Sequence, residues 1–316
     1  MTNDDKGVFG ALTEAVSGVP EPVKKSFFKS ISTLLGGLTS IPAAWLHQKA
    51  QSVEDRTAAT SLVAQALAKA VAEKCSEDPS LIQAAAEVYL PEAIRKAENR
   101  VRIAKAAADQ IASNADSAVP KSDVDQDWLN TFSRFAEDAS SERLQDLFGR
   151  ILAGEVRQPG AFSASTLRAV SELSQEIAQD FSSVWELSVG EAVDYSEEFD
   201  RGSGYSRWMR LAEAGLMAPT TSVQYLPPFN PVFQGFSAWS PFRAEDISIL
   251  ILFSIDSKSS WKNIQFTRVG REIATILPPP NYEQNFRRAA DRINKSGINQ
   301  IHIMRTNKDT ELIWRA

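Results

Sequence analysis

Apolar residues recur at spacings of three and four through the first two thirds of the chain, then shift to alternation and short unbroken runs in the last third. The first pattern predicts helices and the second predicts strands. Ile94, Ala97, Val101, Ala104, Ala108 and Ile111 form a seam over more than two heptads, and the small residues in it imply close packing against another helix. Upstream, the Ala-, Leu-, Gln- and Lys-rich stretch from Ala43 to Cys75 favours helix, a second helix starts near Pro79 and Ser80, and Pro91 interrupts it. Beyond the polar stretch 113–126, Trp128, Phe132, Phe135 and Ala139 line one helical face. Ser140 and Ser141 offer a cap for a helix striped by Leu144, Leu147, Phe148, Ile151 and Leu152. Gly154 can stop that helix, Pro159-Gly160 makes a turn, Ser163 caps a helix with Leu167, Val170 and Leu173, and Ser174 opens one with Ile177, Phe181, Val184 and Trp185.

After a short helix at 205–217 ended by Gly215, the chain changes character. Pro219 to Pro241 reads as a long loop or irregular strand pair, Ile247–Ile255 and Trp261–Phe266 as strands, Arg271–Ile276 and Tyr282–Ser296 as helices, and Ile301–Met304 and Leu312–Trp314 as strands. The predicted class is α+β: a mainly helical first two thirds, comprising a helical arm and a helix bundle, then a small C-terminal α/β domain with a mostly antiparallel sheet. The expected organisation is an apolar arm over 1–42, a long-helix region over 43–118, a helical bundle over 119–218 and the α/β domain over 219–316. The acidic, aperiodic segment around Pro120 marks the boundary in the middle.

Composition narrows the function classes. With 316 residues and 43% hydrophobic content the chain can bury more than one core, and a net charge of −6 disfavours indiscriminate binding to nucleic acid or anionic lipid. Cys75 is the single cysteine, which rules out an intrachain disulfide and fits a reducing compartment. The start, with Asp4, Asp5 and Lys6, lacks the features of a secretory signal, so the expected location is cytoplasmic, with peripheral attachment to the inner membrane through the arm as a variant. Phe27 to Leu46 is long enough to span a bilayer, but Lys29, Gly36, Gly37 and Pro42 make it a poor spanning helix. Within it Phe27, Phe28, Ile31, Leu34, Leu35, Leu38, Ile41 and Trp45 keep near-helical spacing, with Lys24, Lys25 and Lys29 at one end. A lipid surface, a partner helix, a second copy and the protein's own core would all select that pattern.

The block from Asp127 to Ser174 carries a more specific signal. Asp127-Trp128 opening a helix, Ser140 with Gln145, the run Leu147-Phe148-Gly149-Arg150-Ile151-Leu152-Ala153-Gly154-Glu155, Pro159-Gly160 and Thr166-Leu167 occur together. With Asn99 upstream and Phe266-Thr267-Arg268-Val269-Gly270-Arg271-Glu272-Ile273 downstream, this pattern resembles a bacterial family of uncharacterised proteins related to the abortive-infection alpha proteins of phage defence. The resemblance covers most of residues 95–275, implies a role in immunity against phage and supplies no catalytic residues. It also implies that the late segment is a hairpin leading into a helix. Periodicity turns Leu147, Phe148, Ile151 and Leu152 inward, and Gly149 permits close helix approach. Gln145, Arg150 and Glu155 are the polar members, read as braces between helices.

Chemistry-bearing patterns are sparse. His47 and His302 are the only histidines, which nearly excludes histidine triads and histidine-rich metal sites. Asp123, Asp125 and Asp127 imitate the start of a calcium loop, but Trp128 replaces the required glycine and Arg134 the bidentate glutamate. Asp256-x-Lys258 after a strand, with Glu245 or Asp246, fits a metal-dependent nuclease weakly, and Gly202-Ser203-Gly204 reads as a flexible loop. Arg95, Lys96, Arg100, Arg102 and Lys105 against Glu98 give one helix a basic face, solvated or applied to nucleic acid. The expectation is a non-enzymatic defence protein without metal or cofactor that contacts a protein partner, a phage component, a membrane surface or its own copies. A nucleic-acid-binding module on helix 95–105 and a nuclease are the alternatives.

Overall fold

Short polar side chains fix where five helices begin. Asp125, Ser141, Ser174, Thr267 and Asn281 each accept a hydrogen bond from the backbone N–H three residues ahead. Each such cap contributes about 1 kcal/mol by satisfying a donor that the helix leaves open. The computed structural model describes residues 8–35, 79–113, 120, 122–195, 199, 201–220, 224–226, 232–233, 236–240, 243–254, 257, 259–306 and 308–316. The chain forms two compact units, Met1–Glu172 and Leu173–Ala316, and the class is α+β as expected, with helices concentrated in the N-terminal two thirds and antiparallel strands toward the C-terminus.

The first unit contains α1 (Val8–Ala15), α2 (Glu21–Leu34), α3 (Pro79–Ser113), α4 (Gln126–Ala136), α5 (Glu142–Arg157) and α6 (Ala164–Ser171). Its centre is the pairing of two seams, α3 on α5, which run in the same direction, since Asn99 meets Gln145 and Gln110 meets Arg157, with α2 and α6 each packed on both α4 and α5. Ala97, Val101, Ala104, Ala108 and Ile111 of the α3 seam are buried, as are Phe148, Ile151, Leu152 and Val156 of α5. Trp128 stacks on Phe132, and Phe132 meets Phe148 edge-on, which joins α4 to α5.

Three expectations change here. Pro91 does not interrupt α3, which runs through it for 35 residues. A proline removes one i→i−4 bond, and strong helix formers such as Ala84, Ala85, Ala86 and Ala93 on both sides offset that loss. The polar linker around Pro120 is no domain boundary either, because α3 before it and α5 after it pack in one unit, and the division falls between Glu172 and Leu173. The apolar arm is the third. Leu12, Val16, Val23, Phe27, Ile31, Leu34 and Leu35 are buried in the first unit, where α2 packs on α4, α5 and α3. The described part of that stripe is covered by the protein's own core, the commonest fate of an amphipathic face. Phe28 stays half-buried, edge-on to Phe27, and Leu38, Ile41, Trp45 and the predicted helix 43–75 lie outside the described residues. Among the described residues no helix is long and apolar enough to cross a membrane.

The second unit holds α7 (Gln175–Trp185), β1 (Ala192–Asp194), α8 (Gly202–Glu213), β2 (Gln224–Leu226), β3 (Val232–Phe233), β4 (Phe236–Trp239), β5 (Arg243–Ala244), β6 (Ile247–Ser254), β7 (Trp261–Gln265), α9 (Arg268–Ala274), α10 (Tyr282–Arg292), β8 (Ile298–Arg305) and β9 (Lys308–Arg315). One sheet has the order β1-β7-β2 and the other β3-β4-β6-β8-β9, with β5 also on β6. All pairings are antiparallel. On the larger sheet Ile249, Ile251 and Phe253 of β6 and Ile298, Ile301 and Ile303 of β8 share one buried cluster with Phe286, Ala289, Ala290 and Ile293 of α10. The period of two on the strands, a register shift between Ile298 and Gln300 that keeps Ile298 on the face of Ile301, and the three-four spacing on α10 put all of them on facing surfaces.

The late family-like segment is a strand running into a capped helix. Thr267 accepts from the Gly270 N–H and donates to the Gly215 carbonyl at the end of α8. Gly270 lies so close to Leu216 that a Cβ there would stand 2.1 Å from the Leu216 carbonyl oxygen. Gly202-Ser203-Gly204 is the first turn of α8, and Gly202 takes φ +69° there.

Candidate functional site

The residues that carry the resemblance gather along α5, and each polar member has an internal partner. Near its start, Gln145 is buried; its Nε2 donates to Asn99 Oδ1 at 3.1 Å and to the Ala139 carbonyl at 2.9 Å. Asn99 Nδ2 in turn donates to the Glu137 carbonyl at 2.8 Å. An amide pair on two helices therefore fixes the 137–141 turn, with Gln145 donating twice through Nε2 and Asn99 both accepting and donating. Arg150 pairs with Asp146 one turn earlier, Nε to Oδ2 at 2.9 Å.

At the other end of α5, Glu155 is 1% exposed. Its two carboxylate oxygens accept from the backbone N–H groups of Gly160, at 2.6 Å, and Phe162, at 3.0 Å. The chain between can turn back because Gly160 takes φ +87°. Phe162 then lies over Gly154, where a Cβ would stand 2.7 Å from its ring, and its carbonyl accepts from Trp128 Nε1 at 2.7 Å. Arg157, which no local pattern marks, donates through Nη2 to the Gln110 and Ile111 carbonyls at the end of α3. Burial pushes that guanidinium's pKa down, and the exposed carbonyls of a helix C-terminus suit a cation.

Gln145 and Glu155 are separated by ten residues, about 15 Å along a helix, so the polar motif residues do not converge on one point. Two separate braces result, one for each turn flanking α5. The three acids that imitate a calcium loop also part company. Asp125 caps α4, Asp127 sits in its first turn, and Asp123 pairs with Lys29 at 2.6 Å, which holds the Asp123 carboxyl below its usual range. Among the described residues there is no group of three side chains able to hold a metal ion.

The basic face of α3 is largely neutralised. Lys96 and Arg100 both pair with Glu137, Lys96 also with Glu92, and Arg95 with Asp138 while donating to Ser140 Oγ. Hydrogen bonding to Glu137 and Glu92 raises the Lys96 pKa. Arg102 is exposed and Lys105 half-buried. A lysine or arginine already paired with a carboxylate must give up that pair to neutralise a phosphate, which weakens the electrostatic attraction that the nucleic-acid alternative uses. Asp256 and Lys258 of the nuclease alternative, and His47, lie outside the described residues. Asp246 accepts through its carbonyl from the Thr306 N–H, Glu245 sits at φ 49°, and His302, pushed down by burial, has Nε2 2.8 Å from Gln300 Oε1.

Among the described residues of the second unit, the carboxylic acid whose pKa is raised is Asp194, at the end of β1. It accepts from Trp261 Nε1 at 2.9 Å and from Arg292 Nη1 at 2.6 Å, which ties β1, β7 and α10 together. Burial raises its pKa more than the hydrogen bonds from Arg292 and Trp261 and the charges of Arg292 and Arg288 lower it. A carboxyl that binds its proton more tightly when folded opposes folding at neutral pH, and the opposition fades as pH falls from above the folded value toward the unfolded one. Asp194→Asn keeps an acceptor for Trp261 and removes the buried charge. Urea unfolding is expected to find this variant no less stable than the parent at pH 7, with any advantage shrinking as pH falls through that window. A large loss at pH 7 would show that the Arg292 pair outweighs the burial.

Residues 89–205, from within α3 to the first turn of α8, match a family described as a protein of unknown function (DUF2806). No curated protein and no solved structure matches the chain.

Proposed function

We propose that the chain is a non-enzymatic bacterial defence protein that acts against phage by contacting a protein partner or a phage component. The reading of a defence role comes from the resemblance carried by residues 127–174. The observation that favours contact over catalysis is the engagement of Gln145 and Glu155, two buried polar residues of that block, with backbone atoms of their own unit. A general acid, base or nucleophile must reach a reacting atom from a cleft, and a side chain bonded to the neighbouring turn is placed to hold that turn. In this reading α3, α5 and their braces form a rigid scaffold, and activity belongs to surfaces that the scaffold presents.

Cells carrying the gene are expected to plate at least some members of a broad phage panel less efficiently than cells without it. Equal plating on every phage would remove the defence role. Gln145→Met, Arg150→Lys and Glu155→Gln separate scaffold from chemistry, because protection should fall in proportion to the folded fraction measured by circular dichroism. A variant that is fully folded, normally abundant and yet inactive would identify a reacting group and overturn the non-enzymatic reading.

A further inference from the structure

We draw no further inference here: the strongest candidate, the face of the larger sheet in the second unit opposite α10, where half-buried Leu250, Leu252 and Met304 flank His302 and the exposed Leu312, carries nothing because no feature of the structure shows what covers it.

Discussion

Glu155→Ala is expected to destabilise the first unit by about 3–5 kcal/mol, because two hydrogen bonds to a charged group are lost and each contributes roughly 1.5–3 kcal/mol. The carboxylate is enclosed, and its two oxygens are the acceptors for the Gly160 and Phe162 N–H groups. Truncation leaves the N–H of the buried Phe162 without its acceptor, a loss of roughly 1–3 kcal/mol, while Gly160 is exposed and its N–H meets water instead. Phe162 is held on its other side by Trp128, so the loss spreads to the start of α4. Glu155→Gln is expected to cost less than Ala, roughly 1–3 kcal/mol, since the amide still accepts one of the two bonds but presents N–H to the second donor. Hydrogen exchange supplies the site-specific check. The Gly160 and Phe162 amides should lose protection in both variants, before the amides at the centre of α5 do. Protection of those two amides unchanged in Glu155→Ala would mean that the carboxylate does not hold the turn, and the scaffold reading of the motif would lose its best support.

The helices of the first unit were legible because their signals are local. Ser141 acts as the cap its position suggests, as Ser174 does for the first helix of the second unit, and Asp125 turns an acidic run into a helix start. The α3 seam and the α5 stripe needed only a count of three and four to find the buried face. Gln145 and Glu155 could be read as braces, but their partners could not be read. Asn99 lies 46 residues from Gln145, and Arg157 reaches carbonyls 46 and 47 residues away. Spacing patterns say nothing at that range. The same limit hid Glu137, which holds Lys96 and Arg100 from a turn with no periodicity of its own. The arm shows a different limit: a stripe of Phe27, Ile31, Leu34 and Leu35 fixes which side is apolar and leaves open what it meets. In the second unit, the alternating strands and the α10 face were plain. Asp194 was not, because a single carboxylate at a strand end becomes distinctive only when Trp261 and Arg292 are brought to it.

Gly149→Leu is expected to abolish cooperative unfolding of the first unit, and Gly149→Ala to cost about 1–3 kcal/mol, the range for forcing extra atoms into a filled core. Gly149 faces α3 at close range: a Cβ there would stand 2.5 Å from Ala106 Cβ and 3.0 Å from the Ala106 carbonyl carbon and the Ala107 nitrogen. Intrinsic helix propensity points the other way, since alanine is favoured over glycine by about 1 kcal/mol inside a helix. The steric term should win, because two of the three close atoms are backbone and can move only if α3 moves. The pair Gly149→Ala with Ala106→Gly isolates that term. Removing the Ala106 methyl relieves the 2.5 Å contact and leaves the two backbone contacts, so the double variant should recover part of the loss. A coupling energy of about 1–2 kcal/mol is expected from the four-membered cycle, within the range seen for residues in direct contact. Additive single effects would show that α3 and α5 can separate slightly at no cost, and close approach would no longer explain why a glycine stands at this point of the motif. If the coupling is found, Gly149→Leu should also be scarce in cells through loss of the folded protein, since a loss of a few kcal/mol is enough to change abundance.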